Sequence, residues 1–410
     1  MSLTLVRPFK GMRPLAGKIA DVAAPPYDVL DSEEARIMAK GKPISFLHVS
    51  KPEIDLPSGT NVYSEEVYAK GRENFQAMIK DGVLVQDKAE SYYVYRLRMG
   101  EHVQTGLVIG ASVEAYDMGR IKKHEFTRPD KEDDRVRQIE AVNAETGPVL
   151  LAHPSSSAIG NIISKVASGK PEYDFIAPDG IGHSLWVMDN PQDVAAITAA
   201  FEALPALYIA DGHHRSAAAS RVCGARRKAG EAFDAAHNSF LAVSFPMDEM
   251  RIMDYNRVVR DLNGLSSEEF LSKLANEFVV TKASGQYKPQ KAREVGLYCA
   301  GSWYKLEIKN PATSDPVASL DVSLLSDRLL APVLGIVDLR KDKRIDFVGG
   351  KRGLGELERR VNSGEMAAAF AMFPTQMQDL MNVADADQIM PPKSTWFEPK
   401  LADGLVSYML

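Results

Sequence analysis

Cysteine is scarce: Cys223 and Cys299 are the two in 410 residues. They lie far apart and form no Cys-x-x-Cys, which excludes a disulfide framework and a Cys-rich zinc site and fits a reduced compartment. Long apolar runs are absent, and no stretch approaches the roughly 18 apolar residues of a membrane span. Met1 to Pro14 has no apolar core of the signal-peptide kind. A cytoplasmic protein without a membrane partner is therefore expected. Excess positive charge is missing too: 49 Lys and Arg against 55 Asp and Glu leave a net charge of -6. That argues against bulk nucleic-acid binding and leaves room only for a local basic patch. What the chain does have is 45% hydrophobic and 25% charged residues, the balance of an ordinary soluble globular protein. Its length allows about two or three domains. No internal repeat and no low-complexity tract breaks it, and homo-oligomerisation stays open.

Proline punctuates the first 60 or so residues, at Arg7-Pro8, Arg13-Pro14 and Pro25-Pro26-Tyr27-Asp28, so extended chain and turns are expected there. Asp31 or Ser32 caps a short helix, and Tyr63 to Asp81 reads as a longer one. Tyr92–Met99 and Gln104–Val113 form a hairpin across Gly100-Glu101. Pro148–Ala152 is an apolar strand. Strand 206–210, helix 213–229 and strand 240–245 read as a right-handed βαβ unit. Ser266 to Glu269 matches a capping box after a loop, a natural subdomain boundary. Beyond it, strands and helices alternate to residue 382.

The segment richest in chemistry is Tyr208-Ile209-Ala210-Asp211-Gly212-His213-His214-Arg215-Ser216. A buried strand stops at Asp-Gly and an Ala-, Arg- and Lys-rich helix starts at once. Such a turn aims free N–H groups and the positive end of a helix dipole at one spot, which suits phosphate. Gly212 permits the tight turn. Asp211 is placed to cap the helix or to bind a metal carried by phosphate. Arg215 can fork onto phosphate oxygens. A histidine can donate to phosphate or shuttle a proton. The plain alternative is a capped helix with surface histidines. A His-His zinc site lacks any HExxH or CxxC to complete it.

Lys122-Lys123-His124-Glu125-Phe126-Thr127, with Lys131, Asp134 and Arg135 after it, is a second candidate. A histidine beside a carboxylate offers a general base, and the cations offset phosphate charge; a solvated charged helix end is the competing reading. Three weaker segments are the N-terminal arm with Arg13, Tyr27 and Asp28, the glycine-rich Phe347–Gly353, and Pro391–Lys400 with Lys393, Ser394 and Thr395. Phe347–Gly353 is not GxxxxGK[ST], so a standard P-loop is excluded.

Five motifs together, Arg7-Pro8-Phe9-Lys10-Gly11-Met12-Arg13-Pro14, Ala23 to Leu30, Lys123 to Thr127, Ala210 to Arg215 and Pro391 to Leu401, resemble a widespread bacterial family of uncharacterised conserved proteins, a domain of unknown function. The Asp-Gly-His-His-Arg element is similar to the phosphate-binding turn of the ParB/sulfiredoxin-like superfamily, which the free-serine kinases share in the form Asp-Gly-His-X-Arg. This resemblance implies a mixed α/β (α+β) fold with a ParB/sulfiredoxin-like core and an N-terminal extension over residues 1–263, and an α/β subdomain over 264–410. It implies ATP or ADP with Mg²⁺, held by Asp211, Gly212, His213, His214, Arg215 and Ser216, with Lys123, Lys131 and Arg135 offsetting charge and Asp211 facing the metal. The acceptor is then a small hydroxyl-bearing molecule, free L-serine first. A Glu serves as base in the kinases; Glu125 beside His124 is the first choice, Glu34 the second, and His214 a further catalytic candidate. Sulfiredoxin's cysteine is replaced here by His213 or His214, so sulfinic-acid reduction is not expected. A phosphohydrolase or nucleotide hydrolase on the same turn, and a non-catalytic nucleotide-binding regulatory protein, are the competing functions.

Overall fold

The computed structural model describes residues 4–232, 235–310 and 314–410. The chain divides into two compact units, Met1–Met250 together with Pro399–Leu410, and Arg251–Glu398. The sequence-expected boundary at 263/264 lies inside the second unit, and the last residues of the chain belong to the first. Each unit mixes helices with a sheet, so the class is mixed α/β.

The strands of the first unit's main sheet are β1 (Val6–Arg7), β2 (Tyr92–Met99), β3 (His102–Ser112), β4 (Ile121–Lys122), β5 (Val149–His153), β6 (Tyr173–Ile176), β7 (Gly182–Met188), β8 (Leu207–Asp211) and β9 (Ser239–Pro246). They form one mixed sheet in the order β4-β8-β5-β9-β3-β2-β7-β6, with β1 on β3. Every residue of β5 is buried, as a strand covered on both faces requires, and its Val-Leu-Leu-Ala run supplies that cover. The β2–β3 hairpin closes with Met99 opposite His102, as expected.

The βαβ expectation is overturned. Strand β5 lies between β8 and β9, antiparallel to β8 and parallel to β9. The two strands flanking the helix therefore run in opposite directions and do not touch. Sequence adjacency suggested pairing; the fully buried β5, with its Val-Leu-Leu-Ala run, takes the place between them.

Three helices carry the chemistry-bearing side: α1 (Glu65–Lys80), α2 (Pro129–Val142) and α3 (His213–Lys228). Pro129 opens α2 at its first turn, where its missing N–H costs nothing. Helix α2 packs on both α1 and α3. Its Ile139 meets Ala218 and Val222 of α3, while Ala219 and Cys223 face the main core under the sheet. Small residues on α3 allow this close double packing. The N-terminal extension has its own apolar cluster around Val22, Phe46 and Phe75. Both cysteines are buried and free.

The second unit is built on a six-stranded antiparallel sheet of Tyr255–Val259, Phe278–Lys282, Glu294–Cys299, Ser302–Ile308, Ile345–Gly349 and Ala368–Met372. Helix Gly353–Asn362 buries Leu357 against Trp303 and Val348. The Ser266–Glu269 capping box is formed as expected.

One buried carboxyl makes the first unit's stability pH-dependent. Glu145 is buried, accepts the Leu241 N–H at 2.6 Å, and is pushed by burial up to about 8. Its folded pKa lies above its unfolded value, so the stability is complete in acid and is lost as pH rises toward about 8. Glu145→Gln keeps an acceptor for Leu241 and removes the ionisation. Urea unfolding should show the variant gaining on the wild type by roughly a few kcal/mol between about pH 5 and pH 8. An identical difference at both pH values would contradict this reading.

Candidate functional site

Strand β8 ends at Asp211 and the chain turns at Gly212 with φ 96°. That left-handed conformation suits glycine. A Cβ here would also lie 3.1 Å from Arg215 Nε, so the residue's size matters as much as its φ. Gly212, and not Asp211, is the N-cap of α3, and no side chain caps the helix. The N–H groups of His213 and His214 thus occupy helix positions for which the helix itself supplies no acceptor. Asp211 does something else: its Oδ1 accepts the Gly212 N–H at 2.9 Å and its Oδ2 accepts from Lys400 Nζ at 2.9 Å. Burial raises the Asp211 pKa, but Lys400 and Arg215 outweigh it and hold the carboxyl well below the usual range.

One side of the turn is made of histidines. His213 is 4% and His124 2% exposed, with the rings edge-to-face at 4.5 Å. The Ile209 backbone approaches His124, yet neither ring nitrogen closes a hydrogen bond of normal geometry. Burial pushes His124 down to about 4. Burial and then His124 push His213 well below the usual imidazole value. Both rings are neutral at pH 7, so they can donate or accept a proton but supply no fixed charge. Glu125 places Oε2 at 3.7 Å from His213 Nδ1 and is half exposed. His214 is partly buried, which lowers its pKa, and its Nε2 accepts the Arg128 N–H at 3.1 Å.

The other side is made of guanidiniums, Tyr27 and carboxyls. Arg215 folds back against the turn, donates to the Pro148 carbonyl, and meets Asp28 at 3.4 Å. Its Nε is buried without a hydrogen-bond partner. Burial would lower the Arg215 pKa, but Asp28, Tyr27, Asp211 and Asp403 more than offset it and raise it. Arg135 stacks on the Tyr27 ring at 3.9 Å and is held by Asp134 at 2.6 Å, while Arg215 lies 5.9 Å from the same ring. Asp403 is 1% exposed beside this group, and burial pushes its carboxyl up to about 7.

The structure thus brings together Asp211, Gly212, His213, His214, Arg215, His124, Glu125 and Arg135. Other candidates go elsewhere. Ser216 is fully buried and donates to the His213 carbonyl. Glu34 accepts the Asp31 N–H in the capping box of its own helix. Lys131 donates to the Tyr63 hydroxyl. Lys123 lies over the Tyr116 ring at 3.9 Å, though its charge still acts on His213. Arg13 is tied to Asp87 and Glu172. Phe347–Gly353 and Lys393, Ser394 and Thr395 belong to the second unit. Among the described residues no group of three or more His, Cys, Asp or Glu is arranged to hold a metal ion. No helix among them is long and apolar enough to cross a membrane. Lys400 and Asp403 were missed as site residues. Both lie far from the turn in sequence, and only the return of the C-terminal segment shows their roles.

The sequence matches the family described as "Protein of unknown function (DUF1015)" over residues 6–323. The chain belongs to the DUF1015 family. No curated protein matches it. Solved structures similar to this DUF1015 chain include a conserved hypothetical protein from Pyrococcus furiosus, at 14% identity and TM-score 0.35, covering 73% of this chain and 94% of that one. A free serine kinase in complex with AMP has 14% identity and TM-score 0.34, with 71% and 86% covered. C-terminally truncated SbnI from Staphylococcus aureus has 11% identity and TM-score 0.37, with 73% and 86% covered.

Gly212→Ala tests how this DUF1015 turn is held. Strain at positive φ and contact with Arg215 should lower stability by about 1–2 kcal/mol, read from urea unfolding. An alanine variant as stable as the wild type would contradict the geometry.

Proposed function

We propose that the protein is a nucleotide-dependent small-molecule kinase that phosphorylates a hydroxyl group, free L-serine being the first acceptor to test. One observation carries this reading. Both ring nitrogens of His124, Arg215 Nε and both carboxylate oxygens of Asp403 are buried without hydrogen-bond partners, and all surround a helix start that no side chain caps. Buried polar groups are normally paired, and unpaired ones are costly. Concentrated at an anion-binding helix start, they mark a place built for a polar ligand. The resemblance of the turn to the ParB/sulfiredoxin-like form supports phosphate as part of that ligand.

In this reading the N–H groups of His213 and His214 receive the nucleotide phosphates. Neutral His213 donates a hydrogen bond without adding charge. Arg215 and Lys400 supply the positive field. A carboxylate next to the turn, Glu125 or Asp28, takes the acceptor's hydroxyl proton. The acceptor oxygen then bonds to the terminal phosphorus, and the bond from that phosphorus to the nucleotide's bridging oxygen breaks, releasing the nucleotide one phosphate shorter. Asp211 is one carboxylate with Lys400 already on it, so the residues fit a Mg²⁺ carried mainly by phosphate oxygens. Bound there, the ion would offset phosphate charge.

The test is incubation of the purified protein with ATP or ADP, Mg²⁺ and L-serine, followed by ³¹P NMR for phosphoserine. Arg215→Lys keeps the charge and loses the fork, and should lower kcat/KM by about tenfold or more. Whichever of Glu125→Gln and Asp28→Asn removes the base should lower kcat by about 10²–10⁴. Phosphate release without any acceptor would move the reading to a hydrolase. No turnover with either nucleotide over a panel of amino acids and polyols would remove it.

A further inference from the structure

Asp403 is a carboxyl that the protein positions firmly and then leaves unpaired. Its backbone is pinned on both sides: the Asp403 N–H donates to the Ala24 carbonyl at 2.9 Å, and its carbonyl accepts the Ala24 N–H at 3.1 Å. The next residue, Gly404, has φ 84°, and a Cβ there would strike Phe46 at 2.7 Å. The side chain, by contrast, is 1% exposed with no hydrogen bond of normal geometry to either oxygen. The Tyr27 N–H approaches it without closing one. A purely structural countercharge would be expected to bond one of the nearby guanidiniums. Neither does so: Arg215 donates to the Pro148 carbonyl and meets Asp28, and Arg135 is committed to Asp134.

Gly147 borders the same carboxyl. A Cβ at 147 would lie 3.5 Å from Asp403 Oδ1 and 3.5 Å from Arg215 Cδ. That is ordinary contact distance, so an alanine fits the fold and fills the space alongside both groups.

We propose that Asp403 is the acceptor-binding residue of the site, taking hydrogen bonds from the hydroxyl or ammonium head of a small polar molecule held between Gly147, Tyr27 and Arg215. This rests on the kinase reading for the identity of the acceptor, and on the local geometry for everything else. The final segment, Pro399–Leu410, then supplies two working residues: Lys400 on the phosphate side and Asp403 on the acceptor side. Both lie beyond the residues matched by the family.

The experiment compares wild type, Asp403→Asn and Gly147→Ala by calorimetry with Mg-ADP, then with L-serine added, and by thermal melting at about pH 8. Both variants should bind Mg-ADP within about twofold of wild type and L-serine about 10- to 100-fold more weakly, the range of a hydrogen bond to a charged group. Asp403→Asn should melt at or above the wild-type temperature, because it removes a buried ionisable group whose burial outweighs the nearby Arg215, Tyr27 N–H and Arg135. Unchanged L-serine affinity in both variants overturns the proposal, as does a lower melting temperature for Asp403→Asn, the mark of a structural partner. If wild type binds Mg-ADP but not L-serine, the comparison is repeated with homoserine, glycerol and ethanolamine, and binding of none overturns the proposal. If wild type binds no nucleotide, the kinase reading fails on its own; L-serine, homoserine, glycerol and ethanolamine alone then decide for Asp403 by the same variant comparison.

Discussion

The site depends on the close approach of Arg215 to the backbone at Gly212. The guanidinium lies where any side chain at 212 would press on it, and the glycine's left-handed φ sends the chain from β8 straight into α3. From that contact follow the uncapped helix start, the position of His213 against His124, and the meeting of Arg215 with Asp28 and Tyr27. A bulkier turn residue would have to move Arg215, and the groups arranged around it would lose their common centre.

Electrostatics around this contact divide: Arg215, Arg135 and Asp211 are held charged by their neighbours, whereas burial disfavours the charged forms of His124, His213 and Asp403. Two neutral buried imidazoles and a carboxyl raised by burial are unfavourable choices for packing alone. Proteins accept such arrangements where they do chemistry. Elsewhere in the first unit, buried histidines such as His153 and His183 have partners in Ser244 and Tyr95. The His124 ring, by contrast, closes no hydrogen bond of normal geometry.

The turn itself was legible from sequence. An apolar strand, Asp-Gly, and a proline-free helix rich in Ala and Arg leave little choice of local structure, and the residues between them carry the chemistry. Local elements such as the 92–112 hairpin and the Ser266 capping box were legible for the same reason. Strand order was not, because β5 reaches its place between β8 and β9 through long-range competition for burial that no local pattern encodes. Glu34 resembled a catalytic carboxylate, yet Asp31-x-x-Glu34 already fits a reciprocal cap, and the structure uses it so. Asp403 and Lys400 were illegible as site residues: nothing in Lys400-Leu401-Ala402-Asp403 marks a partner for a turn nearly two hundred residues earlier.

The central claim is that the uncapped start of α3 receives the phosphates of a nucleotide. Amide NMR of the ¹⁵N-labelled protein titrated with Mg-ATP and Mg-ADP tests it most directly. The account predicts large, saturable shifts for the His213 and His214 amides, with smaller ones around Glu145 and the distant β6–β7 edge. Saturable binding that leaves those two amides unmoved, or no binding of either nucleotide, would contradict it.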